Sequence, residues 1–171
     1  MSIFPTRILL ATDGSEEAEL AALSAVELAQ RTNSELHVVH VGVVPTLLVS
    51  YPGTLGYEGK LYEQIEEDSS ELLRKESWRV KAAGGTVAGA HLRMGKVDLE
   101  IVALAKELGA DLIVMGCRGH RGVRRVIEGS VSDGVIRHAR CPVLVVRPKR
   151  SKRRRFANFR EDPLAELHRT P

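Results

Sequence analysis

Short aliphatic runs alternate with amphipathic stretches along this chain. The runs are RILLAT (7–12), ELHVVHV (35–41), TVAGAHL (86–92), DLIVMG (111–116) and PVLVV (142–146). Each is dominated by β-branched or aliphatic side chains and bounded by polar or turn-forming residues, as strands buried on both faces require. Between the runs, apolar positions recur at helical spacing. Val97, Ile101, Leu104, Ala105 and Leu108 share one face, with Gly109 just beyond as the stop. Ala18, Ala21, Ala22, Ala25, Leu28 and Ala29 form a second stripe within 15–31. Residues 61–83 predict a longer, charge-rich helix ended by Gly84 and Gly85.

Strand and helix alternating throughout imply right-handed crossovers, hence an α/β fold with a doubly wound five-stranded parallel sheet. Ligands of such sheets bind beyond the carboxyl ends of the strands, where the winding reverses. We assume the order 3-2-1-4-5. Strands one and four are then neighbours, and the segments that leave them, ATDGS and MGCRGHRG, line one crevice. There is no internal repeat, but two segments stand outside the pattern. A Gly, Pro and Tyr rich stretch at 42–60 reads equally as a lid over the site or as a surface loop. The end beyond Arg147 reads as an appendage, so the expected division is a domain over 1–147 and a basic extension over 148–171.

The 171 residues, 43% hydrophobic and 27% charged, fit one domain with a core of its own. The net charge of +3 conceals a division: residues 147–171 carry nine Lys or Arg against three acids, leaving sixteen against nineteen in the body. Nucleic-acid or anionic-surface binding is therefore expected only of the tail, RPKRSKRRR. A solvated tail is the plainer reading, because no aromatic residue interleaves the basic run. No aliphatic run approaches the roughly 20 residues of a membrane span. The start also lacks the basic and long apolar regions of a signal peptide, so a cytoplasmic location is expected. Cys117 and Cys141 lie far apart without a CxxC pair, which points to neither a disulfide framework nor a zinc site. His37 and His40 sit on a strand and lack carboxylate or cysteine partners at ligand spacing.

The chemistry concentrates in MGCRGHRGVRRVIEGSVSD (115–133), with four glycines, four arginines and two serines. Glycine lets a ligand approach the main chain and arginine pairs with anionic oxygen, so a phosphate site is the first expectation. Gly116 and Gly119 would let the backbone fold against ribose and phosphates and offer N–H donors. Gly129 leads into a helix whose first turn has unpaired N–H groups and the positive end of the dipole, and Ser130 and Ser132 add hydroxyls. A competing explanation makes Ser130 to Asp133 an S-x-x-D capping box, which leaves the upstream glycines unexplained. Of Arg118, Arg121, Arg124 and Arg125, one is expected at phosphate, the rest solvated. His120 reads more readily as an exposed loop residue than as a group titrating beside phosphate. Asp13, after the first strand, has the position of a helix N-cap, with Glu16 three residues on.

The spacing Gly116, two residues, Gly119, nine residues, Gly129-Ser130 resembles the nucleotide-binding signature of the universal stress protein family. ATDGS, ELHVVHV, GADLIVMG and GSVSDGVIRHARCPVLVV extend the likeness over residues 5–147. Glycines in this order after this strand are a strong signal, where a few spaced glycines alone are weak. The resemblance implies an adenine nucleotide alpha hydrolase-like fold that binds ATP or another adenine nucleotide. Asp13 would lie at the ribose hydroxyls or a metal-linked water, with Mg²⁺ entering on the phosphates, since no direct metal motif is present. Val41 would meet adenine through its main chain, with Ala11 and Thr12 closing the base pocket. Met115, Gly116, Arg118, Gly119, His120 and Arg121 would surround the nucleotide from the loop, and Gly129, Ser130, Val131 and Ser132 from the following helix. Family resemblance and the assumed edge position together imply a homodimer through the last strand, at Val143, Leu144, Val145 and Val146.

Capture of a nucleotide thus has its parts, whereas catalysis does not. The Ser, Gly and Asp loop of adenylating relatives is missing, as is G-x-x-x-x-G-K-[ST], and no nucleophile and base declare themselves. The expectation is an ATP-binding, stress-response regulatory module. Slow ATP hydrolysis or phosphotransfer, with Asp13 or Glu128 positioning water, and anchoring through the basic tail are the alternatives.

Overall fold

Side chains alternate along the first strand, β1 (Arg7–Ala11), so that Ile8 and Leu10 enter one apolar core while Leu9 and Ala11 enter another. A strand sealed on both faces belongs to the middle of a covered sheet. The computed structural model describes residues 5–44, 57–117 and 131–148. After β1 come α1 (Glu16–Thr32), β2 (Glu35–Gly42), α2 (Tyr57–Ala82), β3 (Val87–Met94), α3 (Val97–Leu108), β4 (Leu112–Gly116), α4 (Val131–His138) and β5 (Val143–Val146). All pairings are parallel and the order is β3-β2-β1-β4-β5, as assumed from the sequence.

The two cores explain the helices. On one face α1 contributes Ala21, Ala22, Ala25 and Val26, and α2 contributes Leu73 and Val80, against Ile8, Leu10, Leu36, Val38 and Val114. The alanine stripe has small side chains, so α1 lies close to the sheet. On the other face α3 presents Ile101, Leu104 and Ala105, and α4 presents Val135, against Leu9, Val39, Val41, Ile113 and Met115. Winding therefore reverses at β1, with β2 to one side and β4 to the other.

Helix ends follow local chemistry. Ser15 caps α1 by accepting the Ala18 N–H at 3.2 Å, and Asn33 closes it in the left-handed region at φ 53°. Gly109 closes α3 at φ 62°, as its position predicts. The N-cap reading of Asp13 is corrected: Ser15 is the cap, and Asp13 Oδ1 accepts hydrogen bonds from the Ser15 N–H at 3.1 Å and from its hydroxyl at 2.6 Å. A second difference is that α2 begins at Tyr57, so the end of the Gly, Pro and Tyr rich stretch is helical. Residues 45–56 lie outside the described residues, and so does the choice between lid and loop there.

At the amino ends of the strands, Asp111 Oδ2 accepts from the Thr6 N–H (2.8 Å), the Thr6 hydroxyl (2.7 Å) and the Arg7 N–H (3.1 Å). This clip ties the entry of β1 to that of β4 and holds the Asp111 carboxyl below its usual range, the Thr6 hydroxyl being the main cause. Between the neighbouring strands β2 and β3, His37 Nδ1 lies 3.1 Å from His91 Nε2, the two rings overlying Gly89.

Candidate functional site

The carboxyl ends of β1, β2 and β4 lie side by side. Ala11 is in register with Val39 on one side and Met115 on the other, and Val41 is the next inward-facing residue of β2. Ala11, Val41 and Met115 are each 7% exposed or less, so the floor of the rim is aliphatic and closed. Thr12, Asp13, Gly14 and Ser15 then carry the chain from β1 into α1.

That turn is held from two elements. The Thr12 N–H donates to Val39 O at 3.0 Å, and Thr12 O lies 2.9 Å from His40 Nδ1, both on β2. The Thr12 hydroxyl donates to Glu76 Oε2 on α2 at 3.0 Å while accepting the Gly14 N–H at 3.2 Å. Glu76 is 2% exposed, and its other oxygen accepts from Arg79 Nη1 at 2.8 Å. A buried carboxylate is tolerated here because both oxygens are satisfied, one by a cation. Gly14 sits at φ 76°, a left-handed conformation that favours glycine, whereas a Cβ there would meet only the movable end of the Leu72 side chain, Cδ1 at 2.8 Å. Asp13 is fixed by its two bonds from Ser15, which hold a carboxylate at the mouth of the crevice.

Sequence reasoning did not single out Glu76. The signal was present: Ser69, Leu73, Glu76 and Val80 fall on one helical face and are all buried, so an acid stands at a core position of a helix read as merely charge-rich.

From β4, Met115 and Gly116 reach the same rim. A Cβ on Gly116 would lie 2.8 Å from the Glu17 carbonyl carbon and 3.0 Å from the Ala18 nitrogen. The missing side chain therefore makes room for the first turn of α1, a packing reason for glycine that the sequence did not reveal. Val131 and Ser132 open α4, Val131 being 40% exposed and Ser132 buried. A parallel sheet sends each following helix back from the carboxyl end, which brings this first turn to the rim. Contact with the first turn of α3 marks the place: a Cβ on Gly134 would meet Asp98 Oδ2 at 2.5 Å. Arg118, Gly119, His120, Arg121, Arg124, Arg125, Glu128, Gly129 and Ser130 lie outside the described residues. Among the described residues, no three His, Cys, Asp or Glu gather as a metal site, and no helix is long and apolar enough to cross a membrane.

A doubly wound parallel sheet, with a carboxylate and a glycine turn at the point of reversal beside β4, defines a Rossmann-like α/β protein. The model of the universal stress protein family matches residues 5–147, and the chain belongs to that family. A Staphylococcus haemolyticus protein bearing the family's name is 40% identical over 141 residues, 82% of this chain and 83% of that one. Among solved structures, the universal stress protein UspA from Lactobacillus plantarum superposes with a TM-score of 0.71 at 26% identity, covering 85% of this chain and 100% of its own. A universal stress protein solved in complex with cAMP superposes with a TM-score of 0.63 at 25% identity, covering 84% and 97%.

Proposed function

We propose that this protein is a regulatory module that binds an adenine nucleotide, ATP with Mg²⁺ on its phosphates, at the rim between β1 and β4. The observation that carries the reading is the meeting of Ala11, Thr12, Asp13, Val41, Met115 and Gly116 where the sheet's winding reverses, with the first turn of α4 at the same end. The donor set suits such a ligand: aliphatic Ala11, Val41 and Met115 for a base, the fixed Asp13 carboxylate for ribose hydroxyls or a metal-linked water, and helix N–H groups with Ser132 for phosphate. The cAMP complex of a similar protein supports an adenine ligand. Arg118, Gly119, His120, Arg121, Gly129, Ser130 and Val131 complete the proposed contacts by family resemblance.

We further propose that residues 1–147 carry this activity, with 148–171 as an appendage, and that two copies associate through β5. That strand is a sheet edge, and its Leu144 is exposed. Two free cysteines, Cys117 and Cys141, suit a reducing cytoplasm.

Mass spectrometry of small molecules released on denaturing the purified protein, with calorimetric titration by MgATP, tests the reading. Adenine nucleotide in the released fraction, or saturable MgATP binding lost in Asp13→Ala, Gly119→Val or Gly129→Val with circular dichroism intact, is expected. Binding unchanged by those substitutions, or none in either assay, overturns it. A monomer at micromolar concentration in sedimentation would overturn the dimer.

A further inference from the structure

A groove of about 750 Å³ runs between α2 and the outer side of β3, away from the rim. Its floor includes Ala90, which stands opposite Val38 in mid-strand, and among the described residues β3 pairs only with β2, so the groove lies at the edge of the described sheet. The volume falls within the roughly 300–1,000 Å³ of small-molecule sites.

Two independent features of its wall point to one kind of occupant. Trp78, the chain's single tryptophan, is 68% exposed, and among the described residues no ring packs against it. An indole left in water is an unused flat surface, suited to stacking. Arg74, Lys75 and Lys81 lie four and three positions before Trp78 and three after it, so helical spacing sets three cations around the indole. Lys75 and Lys81 form no ion pair with a described residue. Glu71, which also lines the groove, lies 4.0 Å from Arg74; both side chains are largely exposed, so the contact neutralises little, and three cations against one acid leave the wall positive.

We propose that this groove is a second ligand site, for a small flat aromatic molecule carrying an anionic group such as a sulfonate, phosphate or carboxylate. The ring stacks on Trp78, and the anion lies among Arg74, Lys75 and Lys81. The inference is independent of the nucleotide reading, because it uses no residue of the rim.

The probe is 8-anilinonaphthalene-1-sulfonate, titrated into the full-length protein while Trp78 emission and probe emission are followed. Saturable one-to-one binding is expected, with Trp78 emission falling as probe emission rises. The triple variant Arg74→Ala, Lys75→Ala, Lys81→Ala should bind about tenfold more weakly or worse, and Trp78→Leu should lose saturable binding. All four side chains are at the surface, so both variants should keep the parent's circular dichroism and urea midpoint. The uncharged analogue N-phenyl-1-naphthylamine should bind about tenfold more weakly, and excess MgATP should leave the sulfonate in place. No saturable binding, equal binding by both variants, equal binding of the uncharged analogue, or displacement by MgATP would each overturn the proposal.

Discussion

Thr12 and Glu76, 64 positions apart, are joined by a buried hydrogen bond in which the threonine hydroxyl donates to the carboxylate at 3.0 Å. The bond fastens the turn leaving β1 to the helix covering that face, so the crevice wall is braced from α2. Replacing Thr12 by valine leaves a buried carboxylate oxygen without this donor and should cost about 1–3 kcal/mol. Glu76→Ala should cost at least as much, and Glu76→Gln, which keeps an acceptor oxygen, less. Urea unfolding of the three variants measures the order, and MgATP affinity should fall in the same order.

The clip at Asp111 makes an acid-sensitive contribution. Its folded carboxyl sits below the usual 3.8, so the fold favours the charged form. Stability from this group is fully present above that value and is lost as pH falls through the folded one. Asp111→Asn should lower stability near neutrality by about 1 kcal/mol, a modest figure because solvent screens the site. The gap between variant and parent should close below about pH 4. Urea midpoints across that range decide it.

His91 should act at milder acidity. Burial first, then the charges of His37 and Arg93, hold its pKa below the ordinary 6.5. The fold thus prefers the neutral ring: its contribution is intact above 6.5 and declines as pH drops from there toward the folded value. His91→Asn should flatten stability in that window relative to the parent, as thermal unfolding at pH 7.5 and at about pH 5 would register.

At Gly116 a methyl group would meet backbone atoms of α1, which cannot swing aside as a side chain can. Gly116→Ala should therefore destabilise by about 1–3 kcal/mol and shift the first turn of α1. Thermal unfolding gives the cost. An unchanged melting temperature would mean that β4 and α1 separate more easily than their packing implies.

Burial lowers the reactivity of Cys141, since it pushes the thiol above its usual 9.0 and withholds the thiolate. Alkylation by iodoacetamide at pH 8 should be slow at Cys141 in the native protein and rapid after unfolding in urea, as peptide mass mapping would show.

What the sequence determined by itself is whatever depends on local period. Aliphatic runs specified five strands, but burial only for β1, β2 and β4: the edge strands β3 and β5 are half-buried or exposed throughout, because one side of each has no neighbouring strand. Spacing of 3.6 residues specified the faces of α1 and α3, and Gly109 marked a helix end, because each property is settled by residues a few positions apart. Alternation of strand and helix then implied the doubly wound sheet. Contacts across the chain were decided by tertiary structure alone. Glu76 looks like one more charge of a solvated helix until α2 is laid over Thr12, and the packing reason for glycine at 116 is hidden until α1 is seen against it. His37 meets His91 only because β3 takes the edge beside β2. Periodicity tells which face of an element is apolar; which element covers that face, and therefore which polar group is sealed beside which, depends on the packing of the whole sheet.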